Sequence, residues 1–67
     1  MEKLKSSNLD GYDYNQSTKE LEITFKNGTT YKYKDVDPTV IAGLLDAPSC
    51  GSYFAQNIKN SYKFEKV

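Results

Sequence analysis

The chain predicts an α+β domain: a three-stranded antiparallel β-meander packed on one face by two C-terminal α-helices. Three observations carry this. Leu21, Ile23 and Phe25 alternate with Glu22 and Thr24, the period of a half-buried strand. A second alternating segment, built on Tyr31 and Tyr33, follows directly after Asn27-Gly28, a hairpin signal. After Asp37-Pro38 the apolar residues change to helical spacing.

Taken in order, Met1–Ser6 is charged around the lone apolar Leu4 and reads as a loose lead-in. A first strand is expected over Ser7–Tyr14. Leu9 has the opposite parity to Tyr12 and Tyr14, and a bulge at Gly11 would bring all three to one face. Asn15–Lys19 is a polar turn. Strands over Glu20–Lys26 and Thr30–Val36 complete the meander. Asp37 suits a helix N-cap and Pro38 the first helical position. Val40, Ile41, Leu44 and Leu45 then share one face, and Pro48 ends the helix. Ser49 caps a second helix reaching about Asn60, with Phe54, Ile58 and Tyr62 as its apolar stripe and Tyr53 beside it. At 67 residues the chain is read as one domain, 1–67, burying roughly 60% of its unfolded surface.

The hairpin register decides where the tyrosines point. A two-residue Asn27-Gly28 loop would set Ile23 opposite Lys32 and turn Tyr31 and Tyr33 outward as an aromatic platform. A three-residue Lys26-Asn27-Gly28 loop, with Gly28 left-handed, sets Phe25 opposite Thr29, Ile23 opposite Tyr31 and Leu21 opposite Tyr33. A slip of one residue inverts every side chain of a strand. In the three-residue register Glu22 faces Lys32 and Glu20 faces Lys34, pairs worth roughly 0.2–1 kcal/mol each. The alternative puts an unpaired Lys beneath the helices, at a cost of about several kcal/mol. The three-residue loop is therefore favoured. The tyrosine rings then pack inward, and an outer face of Glu20, Glu22, Thr24, Lys32 and Lys34 offers no ring for base stacking.

Composition narrows the function classes. Nine Lys balance nine Asp plus Glu, and the chain has neither Arg nor His. Net charge is zero, so no electrostatic grip on nucleic acid or acidic membrane is written into the bulk composition. No apolar run is long enough to cross a membrane and no signal peptide opens the chain. Cys50 cannot form an internal disulfide; it suits a reducing compartment, and a cytoplasmic location is expected. It lies near a helix start but has no His to act as its base, so it reads as a small residue filling that start. The pairs Asp10 with Asp13 and Asp35 with Asp37 read as strand ends and caps rather than acid–base catalysts. No metal-ligand spacing is matched. The expectation is a non-enzymatic domain with no cofactor, no metal and no catalytic residue.

Ser49-Cys50-Gly51-Ser52 is more suggestive. Backbone N–H groups point out of a helix start, Gly51 permits a close approach, and a phosphate or carboxylate can sit at such a terminus. An ordinary Ser cap with tight packing at Gly51 explains the same residues. Gly51, Ala55 and Lys59 follow one another at i+4 and form a small-residue stripe ending in a cation.

Three blocks resemble the KTSC domain family: Ser6-Ser7-x-Leu9-x-Gly11-Tyr12-Asp13; Leu21-x-Ile23-x-Phe25-x-Asn27-Gly28-x-x-Tyr31-x-Tyr33; and Ala47-x-Ser49-x-Gly51-x-Tyr53-Phe54-x-x-x-Ile58-Lys59-x-x-Tyr62. That family takes its name from the lysyl-tRNA synthetase C-terminus, where some members occur; others are small standalone proteins of bacteria and phages. The resemblance carries a proposal of RNA binding, and Tyr31, Tyr33, Ser49, Gly51, Phe54 and Lys59 fall on its characteristic positions. The lack of Arg and the expected standalone chain depart from a synthetase-assisting role.

Three functions follow as expectations. The leading one is a small interaction module acting through a protein partner, such as a phage or bacterial regulator. The second is RNA or other nucleic-acid binding, with Lys26, Lys32, Lys34 and Lys59 on phosphates. The third is a small anionic ligand, such as a nucleotide, at the second helix start. The candidate binding residues are Tyr31, Tyr33, Ser49, Gly51, Tyr53 and Lys59. An exposed edge strand leaves monomer and homodimer both open.

Overall fold

The β3–β4 hairpin turns on the exposed Lys26-Asn27-Gly28 loop. Gly28 adopts φ +91°, in the left-handed region that its missing Cβ makes accessible. Its N–H donates to the Phe25 carbonyl at 2.9 Å, and the Phe25 N–H donates to the Thr29 carbonyl at 2.8 Å. Those two bonds define the three-residue loop. They join β3 (Glu20–Phe25) to β4 (Thr30–Tyr33) with Leu21 opposite Tyr33, Glu22 opposite Lys32, Ile23 opposite Tyr31 and Thr24 opposite Thr30. This is the favoured register, with its inward aromatic row.

The structure, a computed structural model, describes residues 2–67. β2 (Leu9–Asn15) pairs antiparallel with β3, and its register shifts between Leu9 and Gly11. The shift is the expected bulge: Leu9 opposes Phe25, Tyr12 opposes Ile23 and Tyr14 opposes Leu21, all on the inner face. Asn15 holds the following turn by accepting the N–H groups of Ser17 and Thr18 on its side-chain oxygen.

Among the described residues the sheet has five strands in the order β1-β2-β3-β4-β5, where three are expected from the sequence. β1 (Glu2–Lys3) pairs with β2 through Glu2 opposite Tyr12 and Lys3 opposite Gly11. The Leu4 N–H donates to the Asp10 carbonyl at 3.1 Å and its side chain is buried. The described part of the expected loose lead-in is therefore an edge strand ending in a core residue. Main-chain pairing asks for no apolar period, which is why a charged segment can do it. β5 (Phe64–Lys66) pairs with β4: Tyr33 opposes Phe64, Lys32 opposes Glu65 and Tyr31 opposes Lys66. On its β5 side Lys34 meets Glu65 at 3.6 Å.

Helix α1 (Pro38–Asp46) begins as expected. The Asp37 carboxylate accepts the Thr39 N–H at 3.0 Å and Pro38 opens the first turn. The same hydrogen bond, with a second from the Thr39 hydroxyl, holds the Asp37 carboxyl below its usual range. Ile41 and Leu44 are buried and Val40 packs beside them, but Leu45 is half exposed. Spacing alone puts Leu45 on the inner stripe; the helix ends one residue later, at Asp46, and the side chain stays half exposed. α2 (Cys50–Asn57) starts on Ser49, whose hydroxyl accepts the Ser52 N–H at 3.3 Å. It ends three residues before the expected Asn60, where the Ile58 and Lys59 N–H groups both donate to the Phe54 carbonyl. Ile58 is fully buried even so, and Tyr62 reaches the core from the turn beyond. Leu9, Leu21, Ile23, Val36 and Leu44 complete the centre of one core between sheet and helices. Among the described residues no helix is long and apolar enough to cross a membrane.

Candidate functional site

Alternation puts Tyr31 and Tyr33 on the inner face of β4, but the two end in different surroundings. Tyr33 is only 2% exposed. Its ring lies 5.6 Å from Phe54, edge to face, and 5.3 Å from Phe64. Burial, and then the neighbouring Tyr31, push its hydroxyl pKa up. Tyr33 is a core residue. Tyr31 is half-buried and stands edge to face with Phe25 at 5.7 Å and Phe64 at 5.5 Å. Its remaining surface lines a cleft of about 310 Å³ between α2 and the β3–β4 hairpin.

This cleft has an aromatic floor of Phe25, Tyr31 and Phe54. Phe25 and Phe54 pack edge to face at 5.6 Å. Asn8, Asn27, Thr29 and Lys59 supply the polar rim. Gly51, Ala55 and Lys59 run along the α2 wall, so the i+4 stripe read from the sequence forms one side of it. Small residues keep that wall low, and Lys59 sets a cation at its far end.

The six candidate residues thus separate. Tyr31, Gly51 and Lys59 line one cleft. Tyr33 lies beneath it in the core. Ser49 faces a neighbouring shallow groove shared with Lys5, Ser6, Ser52 and Gly51. Tyr53 packs on α1, where a Cβ at Gly43 would collide with its hydroxyl. What approaches Gly51 closely is the chain itself. A Cβ there would come within 2.9 Å of the Asn8 Oδ1 and 3.1 Å of the Ser6 Oγ. The Ser6 hydroxyl ties this turn together, donating to Asn8 Oδ1 at 2.9 Å and accepting the Leu9 N–H at 3.2 Å. Tight packing therefore accounts for Gly51 at the helix start.

Asn8, Phe25, Asn27 and Phe54 also line the cleft, beyond the candidate binding residues that the sequence offers. Phe25 and Phe54 read from spacing as core, and Asn27 as a turn residue; each plays that part too. Asn27 accepts the Thr29 N–H at 2.9 Å while bordering the cleft. Asn8 carried no sequence signal, because its place depends on the bulge of β2 against α2.

Elsewhere the chemistry is quiet. Cys50 is buried and its thiol donates to the Leu44 carbonyl at 3.4 Å. Asp10 pairs with Lys3 at 3.3 Å, and Asp37 caps α1. The outer face of the sheet carries a cross-strand row of Asp13, Glu22, Lys32 and Glu65. That row mixes charges and includes no aromatic ring.

An antiparallel sheet backed on one side by two short helices, with a small aromatic cleft at the start of the second, defines a class of small α+β domains. Residues 5–62 match the KTSC domain, and the chain belongs to that family. A crystal structure of a KTSC domain protein from Yersinia pestis is similar, with a TM-score of 0.89 and 29% identity over 96% of this chain and 90% of that one. An uncharacterized protein of Stutzerimonas stutzeri is 35% identical over 96% of this chain and 92% of its own length. A lysine–tRNA ligase of Nostoc punctiforme is 38% identical over 97% of this chain. This chain spans 12% of that ligase's length.

Proposed function

We propose that this chain is a non-enzymatic binding module that holds a protein partner at the Tyr31–Lys59 cleft. One observation carries the reading: three sequence segments far apart in the chain converge there on an aromatic floor with a rim of amides and one cation. Concave aromatic sites with a few converging polar groups are the usual form of a binding pocket. The volume suits one or two side chains of a docked segment. Zero net charge and a mixed outer face favour a protein over a polyanion. The free Cys50 fits a reducing, cytoplasmic setting. Tagged protein is expected to retain a stoichiometric partner from host lysate, and Lys59→Glu to release it. A partner kept equally by both proteins would remove the cleft from the reading.

RNA binding is the second reading, favoured by the match to a segment of lysine–tRNA ligases and by Lys59 standing beside a stackable Tyr31. It requires amide shifts around Tyr31 and Lys59 on adding short single-stranded RNA, fading steeply with salt as counterions are released. An unchanged spectrum at low salt excludes it.

A further inference from the structure

We infer that β5 is a homodimerisation edge, pairing antiparallel with β5 of a second copy about a two-fold axis at Phe64. The inference starts from which main-chain groups of β5 are in use. Lys34 N–H donates to the Lys63 carbonyl at 2.9 Å and Val67 N–H to the Thr30 carbonyl at 3.0 Å. In an antiparallel ladder such bonded positions alternate. Residues 63, 65 and 67 therefore turn their N–H and C=O groups toward β4, and Phe64 and Lys66 turn theirs away from the sheet. Among the described residues β5 is the last strand of the sheet, so no strand pairs with that outward row.

A second copy satisfies this row in one register. With Phe64 opposite the second copy's Phe64, the outward N–H and C=O groups of the two residues exchange hydrogen bonds. Two residues on, Lys66 turns its own N–H and C=O toward the second copy's Tyr62, where that chain bends out of the strand. On the outer face Glu65 then stands opposite the second copy's Lys63, and Lys63 opposite its Glu65. Shifting the pairing by one step in either direction sets Glu65 against its own copy or Lys63 against its own copy. Odd registers turn the bonding groups of one strand away from the other. Charges on an edge strand usually guard it by repelling a neighbour. Here they read as attraction in the register that the main chain also requires.

The side chains agree. Phe64 lies on the inner face, beyond the cover of α2, and remains 53% exposed. Its ring touches Tyr31 and Tyr33 on one side only. The second copy's Phe64 would cover the other side, joining two five-stranded sheets into one with the helices of both copies on the same face. The opposite edge does not offer this. β1 is two residues long and carries no exposed ring.

So short an edge buries little surface, and the dimer is expected in the range from about 1 μM to about 1 mM. Sedimentation equilibrium across that range is the test, with three variants. Lys66→Pro removes only an outward N–H, which Pro tolerates at a strand edge, and is expected to weaken dimerisation about tenfold or more. Lys63→Glu and Glu65→Lys are each expected to be monomeric, because each sets like charges opposite. Mixed in equal amounts, the two single variants are expected to form a heterodimer. A folded wild type that stays monomeric throughout overturns the inference. So does a dimer that Lys66→Pro and both charge variants leave unchanged, or two single variants that fail to associate when mixed.

Discussion

β3 and β5 are the two neighbours of β4, and both lay side chains on its inner face. On the β3 side, Leu21 and Ile23 are completely buried. On the β5 side, Phe64 is half exposed and Lys66 is exposed. Both strands are held by the same kind of ladder, so the ladder is not what separates them. The cover is: the helices lie over β3 and stop short of β5, where Phe64 meets only the rings of β4 on one side. A central strand has its register set by burial. A last strand has it set by the main chain and a few rings, which leaves half of its bonding groups free for another purpose.

The contrast can be broken at its strongest point. Ile23→Ala is expected to cost about 2–5 kcal/mol, a large part of the stability of a domain this small, measured by urea unfolding. Phe64→Ala removes a ring that is already half solvated and is expected to cost about 1 kcal/mol in the same assay. If the two losses were equal, cover would not be the difference between the strands. Tyr14→Phe probes the helix side. It removes the 2.6 Å hydrogen bond from the Tyr14 hydroxyl to the Val36 carbonyl, which ties β2 to the entry of α1. Its thermal midpoint is expected to fall by less than that of Ile23→Ala. Acid sharpens the same point more gently. Because the Thr39 bonds lower the Asp37 pKa, the cap contributes fully above its ordinary value near 3.8 and is lost as pH falls through the lowered one. Asp37→Asn keeps a capping oxygen without a titrating carboxyl and should flatten that part of the stability–pH profile. The smallest effect belongs to Glu65→Gln. Its pair with Lys34 is about half exposed at both ends and should change stability by at most about 0.5 kcal/mol.

The parts of the fold that the sequence made legible are those where two independent constraints met. The β3–β4 register was readable because inward tyrosines and paired outer charges required the same loop. The Gly11 bulge was readable because Leu9 and Tyr12 could not otherwise share a face. Both helix starts carried a cap and a break. β5 failed this condition: Phe64 is one aromatic between charges, and Tyr62 just before it passed for the end of the α2 stripe. β1 has no apolar period at all. Leu45 has helical spacing yet is exposed, since spacing cannot tell where neighbouring elements stop. The candidate site was legible in part for the same reason. The Gly51–Ala55–Lys59 stripe needs only a helix, and the structure sets it along the cleft. Asn8 and Asn27 reach that cleft through turns whose positions depend on how the sheet meets α2.

The buried thiol of Cys50 gives the molecule its own clock. It is the protein's sole sulfhydryl, enclosed at the start of α2 and engaged by the Leu44 carbonyl. It borders a shallow groove with Leu45 and Pro48, so loosening of the α2 start exposes it further to an alkylating reagent. The labelling rate, read as a single mass increment over time, therefore rises with opening of the helix start and does not touch the cleft itself.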